Sequence, residues 1–227
     1  MNKIAGALGI AISLLVAGCA TTSGPSKEVI ETGFLSDYSK LHPVKGQDGL
    51  LGYVAPSAEL KTYKKIYFDP VQVFLSSKPD TYKGIQPDVL QRISDSFRAA
   101  FIKSASSDYQ VVNAPGPGVL RTRLAITGVQ PVPTPLSPID FLPIKAVFNA
   151  GRAAAGDSPR LAELSVEIEV LNDQGKPVGA LVASRDSEET LEQNDKVTWK
   201  DLEKIVNSLT KTFWQGLDKL RTESAAR

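Results

Sequence analysis

The residues able to do chemistry in this chain are few. It holds one histidine and one cysteine, His42 in "KLHPV" and Cys19 in "LLVAGCATTSG". A nucleophilic triad needs a histidine beside a nucleophile and an acid, and a zinc site needs three or four nitrogen and sulfur donors. One His and one Cys on separate segments supply neither, and His42 reads as a loop histidine before Pro43. Carboxylates remain. Glu167 and Glu169 lie two apart in "AELSVEIEV", on one face of a strand, and paired carboxylates can perform acid–base work at a glycosidic bond. That face carries no aromatic or pocket-forming residue. Arg121 and Arg123 are placed to oppose the two acids across an antiparallel pair, an arrangement worth roughly 0.2–1 kcal/mol. The expectation is therefore a solvated strand face. The acidic run "RDSEETLEQND", 185–195, lacks the Asp-x-Asp-x-Asp-Gly spacing of a calcium loop and reads as a solvated loop. "APGPG", 114–118, has no Lys-Ser/Thr after it and no following helix, so it is a turn and not a phosphate loop. No metal, no cofactor and no enzymatic activity are expected.

Cys19 needs its own explanation. Lys3 is the only charge before it, and Ile4 through Val16 is apolar apart from Gly and Ser. A short positive start, an apolar run and small residues make a secretory signal. The run is shorter than the roughly 20 residues that span a bilayer. Val16-Ala17-Gly18-Cys19 resembles the lipobox of bacterial lipoproteins. The resemblance implies cleavage before Cys19, a diacylglyceryl group on its sulfur and acylation of the new amine. Stable anchoring takes at least two acyl chains, which this arrangement supplies. Ala20, not Asp, follows the cysteine, which by the sorting rule of enteric lipoproteins implies the outer membrane. Residues 1–18 are thus read as the signal peptide. Residues 19–32 are the lipidated cysteine and a polar tether, whose dozen flexible residues reach on the order of 20 Å.

The chain carries 26 Lys and Arg against 25 Asp and Glu. Loss of Lys3 with the signal leaves 25 against 25. A neutral protein has no electrostatic footprint for nucleic acid. With Cys19 lipidated, no thiol remains for disulfides. Residues 33–222 are enough for one well-cored domain, followed by a tail at 223–227.

Two front segments carry a family resemblance: "GFLSDYSKL", 33–41, then Tyr53-Val54-Ala55-Pro56 and Tyr63-Lys64-Lys65 leading into Asp69-Pro70-Val71. Together with the Glu-rich strand at 162–171 and the C-terminal helix, they resemble the Gram-negative lipoproteins grouped as domain of unknown function 3313. The resemblance implies an envelope address and a fold, not a reaction. Asp37, Tyr38 and Asp69 in these motifs read as turn residues and a packed aromatic, with a binding edge as the alternative.

Strands are expected at 66–74, with Pro70 marking an edge or bulge, and at 109–113, 119–129, 162–171 and 178–185. The last two are joined by a hairpin at "NDQGK". Val89, Leu90, Ile93, Phe97, Ala100 and Phe101 recur at helical spacing and predict a helix over 87–105. Trp199, Leu202, Val206, Leu209, Phe213, Leu217 and Leu220 predict a longer one, opened by Thr198 with Asp201 three residues on. The order β-α-β-β-β-β-α with one-sided elements predicts an α+β two-layer sandwich, one mixed sheet with two helices on its apolar face. The same order resembles small lipoproteins that assist envelope transport machines, a likeness of fold alone.

Residues 131–159, "PVPTPLSPIDFLPIKAVFNAGRAAAGDSP", exceed what an adjacent strand pair needs. Spaced prolines predict an extended start, and a short helix is expected over 142–155. Phe141, Leu142, Ile144, Val147 and Phe148 form the candidate interaction surface. Extra core, a partner protein and a lipid surface are its competing uses. The sequence thus predicts a non-enzymatic lipoprotein of the outer membrane, its domain in the periplasm, contacting the membrane through Cys19, with an envelope protein as its candidate partner. A periplasmic module for lipid or another small apolar ligand is the alternative.

Overall fold

The structure, a computed structural model, describes residues 31–55, 60, 62–74, 85, 87–105, 107–134, 158–191 and 196–223. Cys19, the signal segment, the candidate surface at Phe141–Phe148, the expected helix at 142–155 and residues 224–227 lie outside the described residues.

Ten elements follow in order: β1 (His42–Pro43), β2 (Leu50–Val54), β3 (Lys65–Phe68), β4 (Gln72–Val73), α1 (Pro87–Lys103), β5 (Gln110–Val111), β6 (Val119–Pro133), β7 (Arg160–Leu171), β8 (Pro177–Thr190) and α2 (Trp199–Glu223). The strands form one mixed sheet in the order β1-β2-β8-β7-β6-β3-β5, with β4 continuing beside β6 beyond β3. Long antiparallel β6, β7 and β8 make its centre, while β3, β4 and β5 run parallel to their neighbours. This is the α+β, two-helix sheet that the sequence predicts.

Period-two patterning decides which way β7 faces. Ala162, Leu164, Val166, Ile168 and Val170 are buried against the helices. Ile93, Phe97 and Phe101 of α1 and Leu202, Val206, Leu209 and Phe213 of α2 meet them there. Phe68 of β3 sits among Phe101, Phe213 and Trp214, with ring centroids 6.0, 6.1 and 5.9 Å away. The Trp214 indole N–H donates to the Phe101 carbonyl at 3.2 Å, tying the helices together. Asp201 accepts from both the backbone N–H (2.8 Å) and the hydroxyl (2.6 Å) of Thr198, the expected cap of α2.

Four expectations need correction. The segment 66–74 is two strands, because Pro70 cannot donate to a ladder and the chain breaks at Asp69–Val71. The β1–β2 hairpin adds two strands at the far edge; Gly52 within "LLGYV" masks their alternation. Pro131 and Pro133 are not an extended lead-in but the end of β6, paired with Ala162 and Arg160. β3 and β4 have ended by Ile126, so among the described residues β6 is flanked on one side only there, where proline is tolerated. Finally, residues 185–190 of the acidic run belong to β8. They pair with β7 as far as Leu161 opposite Thr190, and the buried Ser187 hydroxyl accepts the Ala162 N–H at 2.9 Å.

Thr134 and Pro159 remain hydrogen-bonded, N–H to carbonyl at 3.3 Å and hydroxyl to carbonyl at 2.8 Å. The long insertion therefore leaves and re-enters the fold at adjoining points.

Candidate functional site: two carboxylates under a strap

The second face of the sheet is not open, as the sequence alone led us to expect. Residues 32–41 cross it as a strap. Phe34 and Leu35 are buried there against Ala125 and Val182, with Tyr38, Leu41, Leu51 and Phe74 around them. Beneath lie Glu167 and Glu169, only 0% and 1% exposed. Register explains the space. Glu167 lies between Ala125 on β6 and Val182 on β8, and Glu169 between Arg123 and Ala180. Small neighbours leave a hollow above Glu167 that the strap fills.

Each of the four carboxylate oxygens accepts a hydrogen bond. Thr32 donates its hydroxyl to Glu167 Oε1 at 2.8 Å, and the Tyr38 hydroxyl donates to Oε2 at 2.6 Å. The Ser36 backbone N–H donates to Glu169 Oε1 at 2.8 Å, and Arg123 pairs with Oε2. The Arg123 guanidinium also stacks 4.5 Å from the centroid of Phe34. The Tyr38 oxygen in turn accepts the N–H groups of Gly33 (3.0 Å) and Leu35 (3.2 Å). Gly33, at φ 86°, supplies the left-handed bend that closes the strap around that hydroxyl.

Burial pushes the Glu167 carboxyl above its ordinary range, against the hydrogen bonds from Tyr38 and Thr32 that favour its anion. Burial, and then the hydrogen bond to Glu167, push the Tyr38 phenol up as well. Saturated by the chain's own donors and shut from water, the pair holds structure together. The opposed-charge expectation holds only for Arg123 and Glu169. Arg121 faces Leu171 in the register and instead pairs with Asp69, Nε to Oδ1 at 2.9 Å and Nη2 to Oδ2 at 2.8 Å. Asp37 is the expected turn residue, accepting the Ser39 N–H at 2.9 Å. Tyr38 is the packed aromatic expected, with an added polar role at its tip. Thr32, assigned from sequence to the tether, is already part of the fold. His42 lies exposed in β1 and not in a loop.

A different feature lies on the helical face. An apolar groove of about 330 Å³ runs between the β2–β8 end of the sheet and the last part of α2. Leu50, Val54 and Leu181 line its floor, and Phe213, Gly216 and Leu217 its wall. It exists because two helices do not cover so wide a sheet. Among the described residues, no cluster of three His, Cys, Asp or Glu could hold a metal ion, and no helix is long and apolar enough to cross a membrane.

Fold and site thus define an α+β two-layer domain whose N-terminal motif is a strap over buried carboxylates. Residues 31–213 match the model of a protein family of unknown function, DUF3313, and the chain belongs to that family. The match begins one residue before Thr32, so the strap lies inside the family's domain. No curated protein matches the chain. Among solved structures, the chain is similar to three distant proteins. A Xanthomonas campestris protein matched to family DUF330 has 11% identity, 77% of this chain and 95% of that chain covered, and a TM-score of 0.40. A PelC dodecamer from Paraburkholderia phytofirmans has 9% identity, coverages of 70% and 94%, and a TM-score of 0.35. A minor lipoprotein from Acinetobacter baumannii has 15% identity, coverages of 73% and 95%, and a TM-score of 0.30.

Proposed function

We propose that this protein is an outer-membrane lipoprotein, held by acyl chains on Cys19, whose periplasmic domain acts without catalysis as an assembly or interaction accessory for another envelope protein. The observation that carries this reading is the strap. Its first residues follow directly on the lipobox and tether, and the acids Glu167 and Glu169 of the sheet, with Arg123, are spent on fastening it. Charge that a catalytic site would need exposed serves here to hold the chain where it arrives from the membrane. The insertion at 135–157, which joins two already bonded strand ends, is free to serve a partner without breaking the ladder.

Two experiments test this. Cys19→Ala should abolish labelling by a fatty-acid probe and release the protein from membranes; continued labelling overturns the anchor. Cross-linking and pull-down of the whole chain should yield a partner that is lost when Phe141 and Phe148 are changed to Ser. The same profile from both forms counts against the accessory role. A second reading, a module for an apolar ligand, is favoured by one observation, the groove beside α2.

A further inference from the structure

We propose that the groove between β2, β8 and the end of α2 binds a single acyl chain of a membrane lipid separate from the protein's own anchor. The inference rests on the apolar-ligand reading and gives it a site and a ligand class. No charged residue lines the groove, and Tyr53 and Thr212 are the only polar residues among those that do. Such a wall recognises hydrocarbon and offers nothing to a polar peptide or a phosphate. At about 330 Å³ the groove sits at the lower end of the roughly 300–1,000 Å³ usual for small-molecule sites.

Gly216 sharpens the case. Glycine inside a helix is less favourable than alanine, so it usually answers a steric demand. Here a Cβ would meet nothing within 4 Å, so no part of the described fold requires the glycine. What its missing side chain leaves open is the groove. At the rim, Val54 is 38% exposed, the one large hydrophobic so placed among the described residues.

The occupant is taken from the bilayer for a geometric reason. Thr32, where the anchored end of the chain reaches the fold, is bonded to Glu167 on the strap face. Leu50, Gly52 and Val54 pair with Ala183, Leu181 and Gly179, and with them face the helices. An acyl chain on Cys19 would have to round the edge of the sheet to enter.

The test feeds cells that express the whole chain with a fatty acid carrying a diazirine and an alkyne. Label formed without light reports acylation at Cys19, and label formed only on irradiation reports an enclosed chain. The wild type should give light-dependent adducts on peptides containing Val54 and residues 212–217, and Cys19→Ala should keep them. Gly216→Leu, whose Cβ meets nothing within 4 Å and whose longer side chain occupies the groove, should lose them while its circular-dichroism melt is not lowered. Gly216→Ala should keep them. Should Gly216→Leu fail to fold, Val54→Asp at the exposed rim carries the same expectation. Adducts elsewhere, or adducts indifferent to Gly216→Leu, overturn the groove and leave the apolar-ligand reading standing. Complete absence of light-dependent adducts overturns both. Loss of the adducts in Cys19→Ala that persists when the released protein is irradiated with vesicles of probe-labelled phospholipid shows that the occupant is the protein's own anchor and overturns the separate lipid. None of these outcomes depends on the light-independent label, so the anchor is judged independently.

Discussion

Glu167 has an acid's charge in an apolar place, and its titration has a definite sign. Because its carboxyl is held above the ordinary 4.5 in the folded chain, its contribution to stability is complete below that ordinary value. It is lost as pH rises through the folded value. Glu167→Gln removes the dependence. Urea midpoints taken from about pH 4 to about pH 8 should therefore show the variant gaining on the wild type as pH rises. The acids held low elsewhere, Asp37 and Asp173, cancel in that difference. A gain on lowering pH would reverse the argument. Arg123 makes the complementary case. Its truncation to Ala leaves Glu169 buried without its cation, which costs about 3–5 kcal/mol by chemical denaturation. Tyr38→Phe removes the hydrogen bond to Glu167 together with the two that its oxygen accepts from Gly33 and Leu35, and should cost at least about 1.5–3 kcal/mol. At this scale the sequence told which residues share a face and not what covers that face. The strap's partners lie 129 to 135 residues away along the chain, beyond any local period.

Among the elements, those with strong periodicity were legible. α2 and β7 bury long apolar stripes, and α2 also carries a local cap, so their signals arise within each element. Thr198→Ala should lower the stability of the domain by about 1 kcal/mol, since it removes the hydroxyl that donates to Asp201 in the first turn. The short strands were not legible. β1 and β5 are two residues each, too short to alternate, and exist because longer neighbours offer them a ladder. β8 was cut short for the opposite reason. Its last residues are polar and half-exposed, and polar composition resembles a loop when the pairing strand is out of view. The insertion allows a further prediction. Because Thr134 and Pro159 already bond across the ladder, replacing residues 135–158 with Asn-Gly should give a folded domain, the pair being a favoured two-residue hairpin turn. Retention of the thermal transition is expected. Its loss would show that the insertion completes the core.

The molecule as a whole is one sheet with unequal covers. Its helical face is closed by aromatic packing around Phe68, and Phe68→Ala should cost about 3–5 kcal/mol, measured by urea unfolding. The other face is closed by a segment a few residues long that owes its place to two acids. Those two modes respond differently to conditions: hydrocarbon packing is indifferent to pH, while the strap is not. The order of layers was readable from one-sided elements, as was the family from its front motifs. The groove was not, because it depends on how far two helices extend across a sheet whose full width includes a hairpin the pattern hid.

The strap also decides how the molecule carries load. A pull from the N-terminal side arrives at Thr32, Ser36 and Tyr38, whose bonds end on β7, the middle strand of the antiparallel three at the centre of the sheet. Force therefore enters the stiffest part of the fold instead of peeling an edge. If the strap lets go first, the seven residues 32–38 reach at most roughly 23–25 Å at full extension, and the slack added is that reach less what they already span on the sheet. Release of the strap alone thus lengthens the path of the chain on its N-terminal side without opening the ladder of β6, β7 and β8.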